Sequence, residues 1–173
     1  VPEYKILRRS IDARKKPDIF YVYHIGVILP DEEKIMSRIN DKNIMLTKRT
    51  DYRIPEHGME VIKHHPLIIG SGPAGLFCAL MLAKAGYAPI IVERGHCVEE
   101  RVAEVNEFFL GKPLNTECNV QFGEGGAGTF SDGKLNTQVK DKYGRLRYVL
   151  EEFVKHGAKE EILYDSKPHI GTD

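Results

Sequence analysis

Two stretches near the N-terminus have the alternating apolar and polar pattern of half-buried strands. They are EYKILRR (3–9) and DIFYVYHIGVIL (18–29), the second rich in β-branched and aromatic residues. The polar connection SIDARKKP between them ends in proline. In DEEKIMSRIN (31–40), Asp31 can cap a helix, acids occupy its first turn, and Ile35, Met36 and Ile39 share one side, predicting a short amphipathic helix. A weaker strand pattern follows in NIMLTKRTDYRI (43–54). Strand, strand, helix, strand describes a small α+β unit of ferredoxin-like character. The linker-like RIPEHGMEVIKHHP (53–66), with Pro55, Gly58 and Pro66, places a boundary near residue 60 and divides the chain into units 1–60 and 61–173.

Beyond this boundary the pattern changes. PLIIG (66–70) is a continuous apolar run ending in glycine, as expected of a strand buried on both faces. GLFCALMLAKAG (75–86) is apolar nearly all round and reads as a buried helix stopped by Gly86. APIIVERG (88–95) is a second buried strand ending in charge. Strand, glycine turn, helix and strand within about thirty residues make a βαβ unit. HCVEERVAEVNEFFLG (96–111) predicts a further helix with an acidic outer face. NVQFGEGGAGTFSDGKLNT (119–137) holds five glycines and predicts an irregular loop. RLRYVLEEFVKHG (145–157) is an amphipathic helix closed by Gly157, and ILYDSKPHIGTD (162–173) starts as a strand. The predicted fold class is therefore α/β, an incomplete Rossmann-type βαβ unit preceded by the small α+β unit.

Composition narrows the function. The chain has 173 residues, 42% hydrophobic, with 25 basic and 25 acidic groups and zero formal net charge, which argues against a dedicated polyanion binder. No apolar run reaches the roughly 20 residues of a membrane span, and no signal pattern is present. Cys78, Cys97 and Cys118 are odd in number and include no C-x-x-C pair. That speaks against a disulfide framework or zinc site and makes a reducing cytoplasm the expected compartment.

The candidate chemistry centres on GSGPAG. Gly70, Gly72 and Gly75 form G-x-G-x-x-G between a strand and a helix, with Ser71, Pro73 and Ala74 completing the turn and Ala79 four residues on. The first glycine permits the tight turn, the second lets backbone approach a pyrophosphate, and the third lets the helix pack close to the sheet. The pyrophosphate would sit on free N–H groups at the positive end of the helix. Glu93 ends the second strand 18 residues after Gly75, where its carboxylate can accept hydrogen bonds from ribose hydroxyls and repel a 2′-phosphate. Spacing alone leaves FAD and NAD open.

GSGPAG followed by a helix and IIVERG resembles the ADP-binding motif of the glutathione-reductase-like flavoproteins with two dinucleotide-binding domains. RRSIDARKKPDIFYVY and NVQFGEGGAGTFSDGKLNT extend the resemblance to nearly the whole chain, toward a group of bacterial FAD-dependent dehydrogenases often labelled NAD(P)/FAD-dependent oxidoreductases. The resemblance implies that Gly70, Gly72, Ala74, Gly75 and Glu93 contact FAD, with NAD a possible hydride partner in a full-length protein. It also implies that the loop after the second strand passes near the pyrophosphate or the isoalloxazine ring. Such flavoproteins use later segments to hold the flavin and substrate. The chain starts at Val1 rather than Met, and the expectation is that it carries an N-terminal portion.

Within the glycine-rich loop, Gly125, Gly126, Ala127 and Gly128 permit close approach, Thr129 and Ser131 offer hydroxyls, and Lys134 offers a cation. Arg94 and Arg101 flank the nucleotide side of the second strand, with Arg101 either reaching the pyrophosphate or pairing with nearby glutamates. RRSIDARKK (8–16) suits a solvated hairpin connection better than a nucleic-acid patch, with Phe20, Tyr21 and Tyr23 packing the small unit. His64 and His65 lack companion ligands, His156 suits a helix C-terminus, and His169 stands alone. Cys78 suits core packing, and 20 residues separate Cys97 from Cys118, too many for a flavin-linked redox pair. No metal site and no catalytic acid or base is predicted.

The resulting expectation is an FAD-dependent oxidoreductase of unknown small-molecule substrate. Its alternatives are an RNA-modifying flavoprotein, marked by salt-dependent binding through Arg14, Lys15 and Lys16, and a non-catalytic dinucleotide-binding module.

Overall fold

The computed structural model describes residues 3–48, 50–56 and 58–171. Arg49 and His57, within the 43–54 and 53–66 segments, and the last two residues of the 162–173 segment lie outside the described residues. The chain divides into two units, Val1–Arg53 with Lys134–Gly171, and Ile54–Gly133.

The first unit is built on an antiparallel hairpin, β1 (Tyr4–Lys15) and β2 (Asp18–Val27), in register from Tyr4↔Val27 to Lys15↔Asp18. Phe20, Tyr21 and Tyr23 do not pack a core as the sequence suggested. They are 61%, 64% and 44% exposed, Phe20 on the opposite face of the hairpin from Tyr21 and Tyr23. Helix α1 is only Glu32–Met36. The expected strand at 43–54 is irregular among its described residues and pairs with no strand. The ferredoxin-like expectation thus reduces to one hairpin and one helical turn.

Residues 134–171 belong with this hairpin, although the sequence pattern grouped them with the 61–173 unit. Arg9 explains the difference. Its backbone N–H donates to the Tyr164 carbonyl at 2.7 Å, its carbonyl accepts from Ser166 N–H at 3.0 Å, and its guanidinium forks onto Asp165 at 2.6 and 2.8 Å. Helix α4 (Arg145–Lys155) starts where Asp141 accepts the N–H of Leu146 at 2.7 Å, and its Leu150 is buried. The segment after it forms a 3-10 turn, Glu160–Leu163, rather than the expected strand, and buries Ile162.

The second unit contains the βαβ element. Strands β3 (Leu67–Ile69) and β4 (Ile90–Val92) are parallel, in register Leu67↔Ile90 to Ile69↔Val92, and the N–H of Gly70 extends the ladder to the Val92 carbonyl at 2.7 Å. Helix α2 (Pro73–Lys84) joins them, with proline in its first turn where no intrahelical N–H is needed. It ends in a Schellman arrangement, Gly86 N–H to the Ala83 carbonyl and Tyr87 N–H to the Leu82 carbonyl, both at 3.0 Å. Helix α3 (Val98–Phe109) follows, then a long loop containing the 3-10 turn Gly126–Phe130.

The apolar runs predicted elements buried on both faces, and the structure differs here. Ile68 faces α2, but by strand alternation Leu67 and Ile69 turn to the other side and are 60% and 81% exposed. Helix α2 has no fully buried residue, and Cys78 within it is exposed rather than in a core. Two short strands and one helix cover only one face of the sheet. Among the described residues no helix is long and apolar enough to cross a membrane.

Candidate nucleotide-binding site

The predicted fingerprint turn sits at the C-terminal ends of β3 and β4, where the strand ladder stops and α2 begins. Gly70 has φ +97°, a conformation other residues adopt only at a cost, and it turns the chain out of β3. Gly75 lies so close to that turn that a Cβ on it would run into the Gly70 carbonyl oxygen. Gly72 differs, since a Cβ there would meet nothing within 4 Å. The first intrahelical bond is donated by Leu76 to the Gly72 carbonyl at 3.0 Å, so the N–H groups of Ala74 and Gly75 precede the helical ladder. No acidic side chain occupies this first turn.

Glu93 closes the site from the end of β4. Its Oε2 accepts the backbone N–H of Ser71 at 2.7 Å and the Ser71 hydroxyl at 3.1 Å. Its Oε1 accepts the N–H groups of Arg94 at 3.0 Å and Gly95 at 3.1 Å. These donors, the Ser71 N–H first, hold the carboxyl down at about 2, so it is ionised throughout the neutral range. Ser71, only 6% exposed, is thereby fixed between the two strands.

The glycine-rich loop packs against this turn. The N–H of Gly125 donates to the Ser71 carbonyl at 3.0 Å, and a Cβ on Gly126 would lie 3.2 Å from the Gly72 Cα. Ala127, Gly128 and Thr129 continue through the 3-10 turn, where the Thr129 hydroxyl donates to the Glu124 carbonyl at 2.9 Å. Ser131 follows, its hydroxyl accepting Gly133 N–H at 3.2 Å.

The cations take other places than the sequence suggested. Arg101 is 0% exposed. Its guanidinium donates to the carbonyls of Asn119 (2.9 Å), Glu124 (2.6 Å) and Val120 (2.8 Å) and to the Thr129 hydroxyl (3.1 Å), with its face on Phe130. Arg101 is thus the internal scaffold of the loop. Arg94 stacks over Phe122 at 3.7 Å and lies 3.5 Å from Glu117. Lys134 belongs to the first unit, where its backbone pairs with that of His169. A further contact without a sequence motif is Glu124, whose Oε2 accepts the N–H of Val98 at 2.9 Å and caps α3. An acid 26 residues from a helix start leaves no local signal.

Residues 63–101, spanning β3, α2, β4 and the start of α3, match the family profile of an FAD binding domain, and residues 1–28 match a domain of unknown function (DUF8436). The chain is similar to an uncharacterized protein of Clostridium beijerinckii, 49% identical over 168 residues, which is 97% of this chain and 31% of that relative. The chain therefore spans about a third of the length of the curated relative it matches. The FAD binding domain match supports FAD binding.

Proposed function

We propose that the Gly70–Gly75 turn, the start of α2 and Glu93 hold the ADP half of FAD as part of an FAD-dependent oxidoreductase, a dehydrogenase in the reading the sequence resemblance favours. The observation that carries this reading is the ionised Glu93 carboxylate standing beside the open helix start, within the segment that matches an FAD binding domain. The helix N–H groups and its positive end would receive the pyrophosphate, and the space at Gly72 admits it. Glu93 already accepts four donors, three of them backbone and fixed. The Ser71 hydroxyl is the one that can rotate away, so a ribose hydroxyl would take its place on Oε2.

Gly125 and Gly126 form a wall beside the turn, and Arg101 holds the chain just before it by the Glu124 carbonyl. Arg101 thus positions the loop rather than touching the nucleotide. When bound, the flavin supplies the hydride or electron-pair transfer, and the residues here bind and orient its nucleotide half.

Equilibrium binding of FAD, ADP, NAD and NADP to the purified protein tests the reading. The expected result is FAD binding that ADP competes away and that Glu93→Gln weakens about 10- to 100-fold, the loss of a charge-assisted acceptor. Equal affinity in wild type and Glu93→Gln, or preference for NADP, would overturn it.

A further inference from the structure

The turn before α3, α3 itself and the loop after it bring three potential metal ligands together within the Ile54–Gly133 unit. One ligand atom each from His96, Glu104 and Cys118 lies within 4.8 Å of the others. Cys118 is 1% exposed, Glu104 is half-buried on α3, and His96 is at the surface. Oε1 of Glu104 accepts from Asn115 Nδ2 at 3.2 Å and lies 3.1 Å from His96 Nδ1. Its Oε2 is buried and, among the described residues, accepts no well-formed hydrogen bond, with the Cys118 thiol a neighbouring weak donor to the carboxyl. Folded proteins seldom leave a buried carboxylate oxygen in that state, and a bound cation would satisfy it.

We propose that His96 Nδ1, Glu104 Oε2 and Cys118 Sγ form a three-ligand site for a divalent cation of the zinc class, with the fourth position left to water. One nitrogen, one oxygen and one sulfur is the donor set of a borderline-soft ion, and excludes the all-oxygen preference of calcium and magnesium. Donor atoms around tetrahedral zinc stand about 3–4 Å apart given bonds of about 2.0–2.3 Å. The ligand atoms here lie within 4.8 Å of one another and would close to that spacing around an ion by side-chain rotation. Asn115 already orients the carboxylate, and the backbone N–H of His96 donates to Cys118 Sγ at 3.4 Å, as outer partners of metal ligands do.

On binding, the Cys118 proton passes to solvent and the thiolate donates an electron pair to the ion, with no change of oxidation state. Glu104 and Cys118 also line a cavity of about 340 Å³ bounded by Phe108, Leu114 and Phe122. The absence of C-x-x-C spacing hid this group, because its members stand 8 and 14 residues apart in sequence. The proposal is independent of which nucleotide the protein binds.

The test is a cobalt(II) titration of the chelator-treated, purified protein, followed by absorption. The expected result is one equivalent bound, with a thiolate-to-cobalt charge-transfer band in the near ultraviolet and the visible bands of a four-coordinate ion, displaced by zinc. Cys118→Ser should abolish the charge-transfer band, and His96→Gln, at an exposed side chain, should weaken binding about 10-fold or more. Cys78→Ser and Cys97→Ser, both at exposed cysteines, should leave it intact. No charge-transfer band in the wild type, a band that survives Cys118→Ser, or one that vanishes in Cys97→Ser would overturn the proposal. Circular dichroism checks that Cys118→Ser folds. If it does not, unchanged affinity in His96→Gln overturns the proposal and the stated loss sustains it.

Discussion

Glu93 and Ser71 are joined twice, backbone N–H to Oε2 at 2.7 Å and hydroxyl to the same oxygen at 3.1 Å. The fingerprint turn is thereby tied to the end of β4 before any nucleotide arrives. Because these donors favour the ionised form, the Glu93 carboxyl is lowered from 4.5 to about 2. Its contribution to stability is complete above about pH 4.5 and is lost as the pH falls towards 2. Glu93→Gln should remove about 1–2 kcal/mol of stability at pH 7, discounted for the partly exposed setting, and flatten that acid flank. Urea denaturation of both proteins between pH 2 and 7 is the check, and parallel pH profiles would contradict the role given to Glu93.

Gly72 and Gly75 should respond differently to the same added methyl group. Gly75→Ala drives a Cβ into the Gly70 carbonyl and should cost about 1–3 kcal/mol, visible as a lowered denaturation midpoint. Gly72→Ala meets open space at an ordinary φ of −69° and should change stability by no more than about 0.5 kcal/mol. It should nevertheless weaken FAD binding, because the methyl group occupies the space proposed for the pyrophosphate. Unchanged FAD affinity in Gly72→Ala would show that the nucleotide binds elsewhere.

Arg101 is expected to be a stability residue. Removing it by Arg101→Met leaves the carbonyls of Asn119 and Val120 without their donor and that of Glu124 with the Thr129 hydroxyl alone, and should destabilise by about 3–5 kcal/mol. Arg101→Lys should rescue little, since an ammonium cannot fork to three carbonyls. Limited proteolysis would locate the damage in residues 119–130. A stable Arg101→Met protein with reduced FAD affinity would instead favour direct contact with the pyrophosphate.

Ser71→Ala should separate the two functions of the Glu93 contact. The backbone N–H remains and holds the turn, while the rotatable hydroxyl is gone. The expected outcome is unchanged or slightly tighter FAD binding, because a ribose hydroxyl no longer displaces a competitor. Calorimetric titration measures this directly, and a loss of more than about 10-fold would contradict the displacement argument.

The local signals in the sequence were strong where one element dictated its own geometry. G-x-G-x-x-G between an apolar run and an Ala/Leu/Met-rich stretch led to β3, α2 and β4 with the glycines at the turn, and the 3.6-residue pattern led to α3 and α4. Reading the same apolar runs as buried on both faces overreached, since burial of Leu67 and Ile69 requires a second covering layer that no local pattern encodes. The grouping of residues 134–171 with the hairpin depends on Arg9 and Asp165, 156 positions apart. Arg101 shows the same limit: five guanidinium donors suit a pyrophosphate and a set of loop carbonyls equally well. Only the fold decides which of them it meets.

Whether FAD is the bound nucleotide is measured most directly by the identity of the cofactor that accompanies the purified protein. Denaturation followed by chromatography and an absorption spectrum should give FAD at close to one equivalent, with the yield falling in Gly72→Ala while the protein stays folded. Release of NAD without flavin, or FAD retained equally by Gly72→Ala and Glu93→Gln, would contradict the proposed reading.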